Sequence, residues 1–116
     1  MTITRLDPHE RLSGAVIHNG LVYLAGQVTT DTTLDTQAQT ANVLAQIDTL
    51  LEQAGSSKAN ILSVQIFMPV IADISAMNAA WDAWLDKDNK PARATVEAKL
   101  ADPAWKVEIT LVARVG

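Results

Sequence analysis

Toward its C-terminal end the chain alternates apolar and polar residues with a period of two. Ala92, Ala94, Val96, Ala98 and Leu100 share one parity, and Arg93, Thr95, Glu97 and Lys99 share the other. This is the signature of a half-buried strand whose apolar row faces a core. The alternation resumes beyond Asp102-Pro103. There Val107, Ile109, Leu111 and Ala113 form the apolar row, Lys106, Glu108 and Thr110 the polar row, and Val112 is the exception among them. Together the two arms predict a long β-hairpin turning near Pro103, with Arg93, Thr95 and Glu108 on one polar face. Along such a hairpin Arg93 and Glu108 sit roughly five residues apart, or roughly 17 Å at about 3.3 Å per residue. A site that uses both must then be assembled between two chains, so the hairpin predicts an oligomer.

Upstream, Thr2-Ile-Thr-Arg-Leu6 is β-branched and ended by Asp7-Pro8, which predicts an edge strand and a turn. Gly14-Ala-Val-Ile-His18 and Leu21-Val-Tyr-Leu-Ala25 flank Asn19-Gly20, a pair that suits a tight hairpin because both turn positions need positive φ. His18 enters that turn as an exposed residue. Gly26-Gln27 then interrupts the strand, marking a bulge or a place where something approaches the main chain closely. Thr36 and Gln39 have the spacing of a capping box, and Val43, Leu44, Ile47, Leu50, Leu51 and Ala54 follow on one helical stripe up to Gly55. Ile61-Leu-Ser-Val-Gln-Ile-Phe-Met68, stopped by Pro69, is apolar on both faces and predicts a central strand. Asp73 is placed to cap a second helix carrying Met77, Trp81, Trp84 and Leu85 as core residues. The segment Asp86 to Lys90 reads as a charged, solvated loop. Two helices can cover only one face of such a sheet, so the strand face bearing Ile61 and Phe67 calls for self-association as a closed ring.

Bulk properties narrow the function. A chain of 116 residues with 48% hydrophobic content makes one domain, residues 1–116. The net charge of −4, the pI near 4.9 and nine scattered Lys and Arg argue against a nucleic-acid surface. No apolar run approaches the ~20 residues that span a bilayer, and the N-terminus lacks signal-peptide features, so no membrane partner and a cytoplasmic location are expected. Without cysteine there is no disulfide, thiol nucleophile or zinc-thiolate site, and two histidines, at 9 and 18, are too few for a histidine-rich metal site.

The combination of Gly26-Gln27, Gln39-Thr40, Ala54-Gly55, Asp73 with Met77-Asn78 and Trp81, Pro91-Ala-Arg-Ala-Thr-Val-Glu-Ala98 and Lys106-Val-Glu-Ile109 resembles the Rid family of enamine and imine deaminases, also called YjgF/YER057c/UK114, in its YoaB-like bacterial branch. The resemblance covers nearly the whole chain. It implies a chorismate-mutase-like α+β fold, a mixed sheet with two helices on one face, forming a homotrimer with ligand clefts between subunits. It also implies hydrolysis of reactive 2-imino acids or their enamine tautomers to 2-oxo acids and ammonium, the reaction of a 2-iminobutanoate/2-iminopropanoate deaminase-type hydrolase. Arg93 matches the family arginine that would hold the substrate carboxylate, and Glu108 matches the glutamate that would position or deprotonate water. Asn78, Gly26 and Thr95 match positions lining the cleft, the last two chiefly through backbone groups. No metal or organic cofactor is implied. Two positions depart from the family pattern, with Leu12 where active members often carry tyrosine and Ala25 where they often carry serine. Alternatives stay open: Arg93 as a surface ion pair, Glu97 acting in place of Glu108, and a non-catalytic trimeric binder of small 2-oxo or amino carboxylates. Nucleic-acid cleavage has the least support, given the acidic charge.

Overall fold

The computed structural model describes residues 2–116. Its strands are β1 (Thr4–Pro8), β2 (Ser13–His18), β3 (Leu21–Leu24), β4 (Ile61–Met68), β5 (Ala92–Glu97) and β6 (Glu108–Arg114). Helix α1 (Thr36–Gln53) follows β3, and α2 (Ile74–Trp84) follows β4. The six strands form one sheet in the order β1-β2-β3-β6-β4-β5. Only β4 and β5 run parallel; the remaining neighbours are antiparallel. The architecture is therefore the α+β layer expected, two helices on one face of a mixed sheet.

Local chemistry explains most boundaries. Asn19 (φ 53) and Gly20 (φ 75) both take the left-handed conformation that a two-residue hairpin demands between β2 and β3. Asp35, rather than Thr36, caps α1, its carboxylate accepting from the Ala38 N–H at 2.9 Å. Such a cap contributes about 1 kcal/mol. Thr36 is the first helical residue, and its hydroxyl instead donates to Asp73 across the helix pair at 3.5 Å. Asp73 holds the cap position of α2, but its side chain makes no capping bond.

The core forms where the predicted stripes meet. Val43, Leu44, Ile47 and Leu51 of α1 and Met77 and Trp81 of α2 bury against Val64, Ile66, Met68, Ile109, Leu111 and Ala113 of the sheet. Strand β4 is central as expected, paired with β5 on one side and β6 on the other. A bulge between Ile61 and Ser63 changes one detail: Ile61 turns into the core, and Leu62 becomes exposed.

The C-terminal hairpin does not form. Strands β5 and β6 are separated by β4, which inserts between them. The turn signal at Pro103 is real, since the Trp105 N–H bonds the Asp102 carbonyl and the Ala104 N–H bonds the Asp102 carboxylate. The connection from Ala98 to Val107 is nevertheless long enough to step over a strand. The predicted faces change with it. On β6 the apolar row does enter the core. On β5, Ala92, Ala94 and Val96 pair with Ser63, Gln65 and Phe67 on the open face, while Arg93, Thr95 and Glu97 pair with Val64, Ile66 and Met68 on the helix face. Period two fixes alternation and leaves open which row faces the core. At an edge strand the helix layer ends, so the polar row can lie on its side and still reach water.

The open face stays uncovered within one chain. Tyr23 (45% exposed) and Val96 (46% exposed) lie on it with Phe67 and Val112. No helix among the described residues is long and apolar enough to cross a membrane.

Candidate functional site

Strand β5 carries the cationic part of the site. Its edge position leaves one side of its backbone without a strand partner, so free N–H and C=O groups are available there. Arg93 is exposed, and its guanidinium lies over the Trp81 ring at 5.2 Å from the centroid. That contact is worth about 0.5–1 kcal/mol at an exposed site and uses none of the guanidinium N–H groups. Arg93 makes no ion pair among the described residues, so it is not the surface salt bridge weighed as its alternative. Thr95, two residues on along the same face, has a buried hydroxyl oxygen with no hydrogen-bond partner. Half-buried Asn78 lies one turn before Trp81 on α2. Arg93, Thr95 and Asn78 thus fall on one flank of the molecule.

Glu108 and Gly26 form a separate pair. Glu108 opens β6 opposite Phe67, on the open face, half-buried and without an ion-pair partner among the described residues. Gln27 makes a two-way backbone bridge to Ile109, at 2.8 and 3.1 Å, which brings the preceding glycine against the Glu108 side chain. A Cβ on Gly26 would run into the Glu108 carboxylate. The glycine lets the Glu108 carboxylate lie against the main chain, a close approach that is one of the readings its position in the sequence allows. Gly26→Ala is expected to swing the half-buried Glu108 side chain away from the strand while leaving the fold stable to within about 1 kcal/mol, since the far end of a flexible side chain gives way. A crystal structure and denaturant unfolding of the variant check this; Glu108 found in its original place would contradict it.

The two groups do not meet within one chain. Arg93 is level with Val64 and Glu108 with Phe67 on β4, so they stand three residues apart along the sheet and two strands apart across it. At about 3.3 Å per residue and 4.8 Å per strand this is roughly 14 Å between backbones. They also point to opposite faces. The expectation of a shared polar face is thus overturned, while the conclusion that one copy cannot join them stands on different geometry. Glu97, the alternative to Glu108, shares the face of Arg93, but its carboxylate is engaged by the Ile71 N–H at 3.2 Å.

A groove of about 610 Å³ between α1 and α2, floored by alanines such as Ala41, Ala45 and Ala83, contains none of the five residues. Among the described residues no group of histidines and carboxylates is arranged to hold a metal. The sequence reading missed Trp81 as a platform for Arg93. Only the adjacency of α2 and β5, a tertiary fact, reveals it.

Residues 2–115 match the family described as Endoribonuclease L-PSP. The chain is 53% identical to a RutC family protein of Haemophilus influenzae, over 97% of this chain and 98% of the relative. It is 49% identical to the RutC family protein YoaB of Escherichia coli, over 99% and 100%. Among solved structures, a YjgF-family protein of Neisseria meningitidis superposes with a TM-score of 0.95 at 44% identity, covering 100% of this chain and 97% of that one. Motif order, fold and whole-length similarity agree, and the chain belongs to the YjgF/RutC family, the group to which the name Rid is also given.

Proposed function

We propose that this protein hydrolyses reactive 2-imino acids, or their enamine tautomers, to 2-oxo acids and ammonium, in a cleft formed between the subunits of a homotrimer. One observation carries the reading: an arginine at the β5 edge and a glutamate on the open face, neither with an ion-pair partner among the described residues, directed away from each other in one chain. Packing the open face of one subunit against the β5 edge of its neighbour buries exposed apolar surface and joins the two groups.

In such a cleft Arg93 holds the substrate carboxylate by two parallel N–H···O bonds, its guanidinium resting over the Trp81 ring. The Thr95 backbone on the unpaired edge of β5 and the half-buried Asn78 amide supply further polar contacts. Glu108 takes a proton from water as the water oxygen bonds to the imine carbon, the C=N electron pair moves to nitrogen, and the Glu108 carboxyl returns that proton to the nitrogen. In the resulting carbinolamine the hydroxyl proton passes through the Glu108 carboxylate to the amine nitrogen. The oxygen electron pair then forms the carbonyl as the C–N bond breaks, and ammonia leaves to take up a proton from water as ammonium. No redox partner is needed, and the site residues provide both binding and proton transfer.

The alternative, a trimeric binder of small carboxylates without turnover, draws support from Leu12, exposed and apolar where active members often have tyrosine, and from Ala25. RNA cleavage, which the family description names, finds no concentrated basic surface in a chain of net charge −4. The deciding experiment generates 2-iminobutanoate in situ and follows 2-oxobutanoate and ammonium release. The proposal predicts faster release with protein present, and release at the buffer rate sinks it. Sedimentation at the same concentration is expected to give three chains per particle.

A further inference from the structure

We infer that Gln39, buried beneath the connection between β5 and β6, is a positioning residue for Glu108. This rests on the proposed role of Glu108 and extends it to a group that does not touch the substrate.

Gln39 is fully buried on α1. In sequence it suits a capping box, but its amide does not reach back to the start of the helix in that way. Its Nε2 donates to the Leu34 carbonyl and to the Ala104 carbonyl, both at 3.1 Å, and its Oε1 accepts from the Lys106 N–H at 2.9 Å. Both amide hydrogens and the oxygen are thereby used. Two of these bonds reach across the fold to the segment leading into β6.

Among the described residues no other hydrogen bond ties residues 99–106 to the rest of the fold, while the next residue, Val107, is buried in the core and Glu108 itself pairs with Phe67. The bonds made by Asp102 close only its own turn. Lys106 lies two residues before Glu108, and Ile109, one residue after it, is bridged to Gln27. Glu108 thus sits between two backbone clamps, Gln39 before it and Gln27 after it. Releasing the first leaves the Lys106 N–H and the Ala104 carbonyl without their partner, and the start of β6 gains freedom to move. Arg93 is on another strand beyond β4 and is untouched. The expected signature is lost catalysis with retained binding.

The test replaces Gln39 by methionine, which nearly keeps length and volume and removes all three bonds. In Gln39→Met, kcat for the imine is expected to fall about tenfold to a hundredfold, as for a small misplacement of a reacting group. KM and the affinity for 2-oxobutanoate should stay within about twofold. Amide hydrogen exchange at Ile109, whose N–H bonds to Gln27 and not to Gln39, should quicken well beyond the change seen in the core amides of β4. A purely structural role would shift the melting temperature and leave both kcat and the relative exchange at Ile109 as in the wild type, and that result overturns the inference. If the methionine chain does not fold, Gln39→Glu keeps an acceptor for Lys106 and gives the same two readouts. Wild-type protein without turnover would refute the deaminase reading alone, and the exchange at Ile109 would then decide the role of Gln39 by itself.

Discussion

Arg93→Ala is expected to remove measurable carboxylate binding and, with it, imine turnover. Each charge-assisted bond to a carboxylate is worth about 1.5–3 kcal/mol, so losing a bidentate pair weakens affinity by at least about a hundredfold. The fold should survive, because the side chain is exposed on an edge strand and its stacking on Trp81 contributes only about 0.5–1 kcal/mol. Arg93→Lys should fall between wild type and alanine, since an ammonium keeps the charge and loses the fork. Isothermal titration with 2-oxobutanoate, alongside thermal unfolding of each variant, separates the effects. Undiminished binding in Arg93→Ala would move the carboxylate site elsewhere.

Glu108→Gln is the second large effect, and its signature differs. The amide keeps the shape that lies against Gly26 but can no longer accept a proton from water. General-base contributions of this kind are worth about 10²–10⁴-fold, so kcat should fall by that order while KM stays nearly constant. Steady-state measurements with imine generated in situ check this. A fall in affinity with kcat unchanged would assign Glu108 to binding instead.

Elements defined by local chemistry were legible in the sequence. The Asn19-Gly20 hairpin, the stripe of α1, the core tryptophan of α2 and the central place of β4 follow from turn geometry and periodicity, and each is found in the fold. What depended on strand order was not. Two alternating arms around Pro103 look like a hairpin, and nothing within them signals that β4 will insert between them. That insertion reverses the faces of β5 and sets Arg93 over Trp81, a contact between residues twelve positions apart in sequence but on different elements. Gln39 shows the same limit. Its spacing from Thr36 fits a cap, and only the folded chain reveals that its partners are Ala104 and Lys106. That Arg93 and Glu108 cannot meet within one chain was anticipated from an incorrect hairpin, and the observed register gives that separation a sounder basis in opposite sheet faces.

The central claim is that one subunit lends the arginine and its neighbour the glutamate. Mixing unfolded Arg93→Ala and Glu108→Gln chains in equal amounts and refolding them together tests it most directly. If neighbouring chains complete each site in a closed ring of three, about a quarter of all sites in the refolded mixture pair an intact Arg93 with an intact Glu108. Imine hydrolysis should return to about that fraction of the wild-type rate, although each variant alone is nearly inactive. A mixture no more active than its two components would contradict the account.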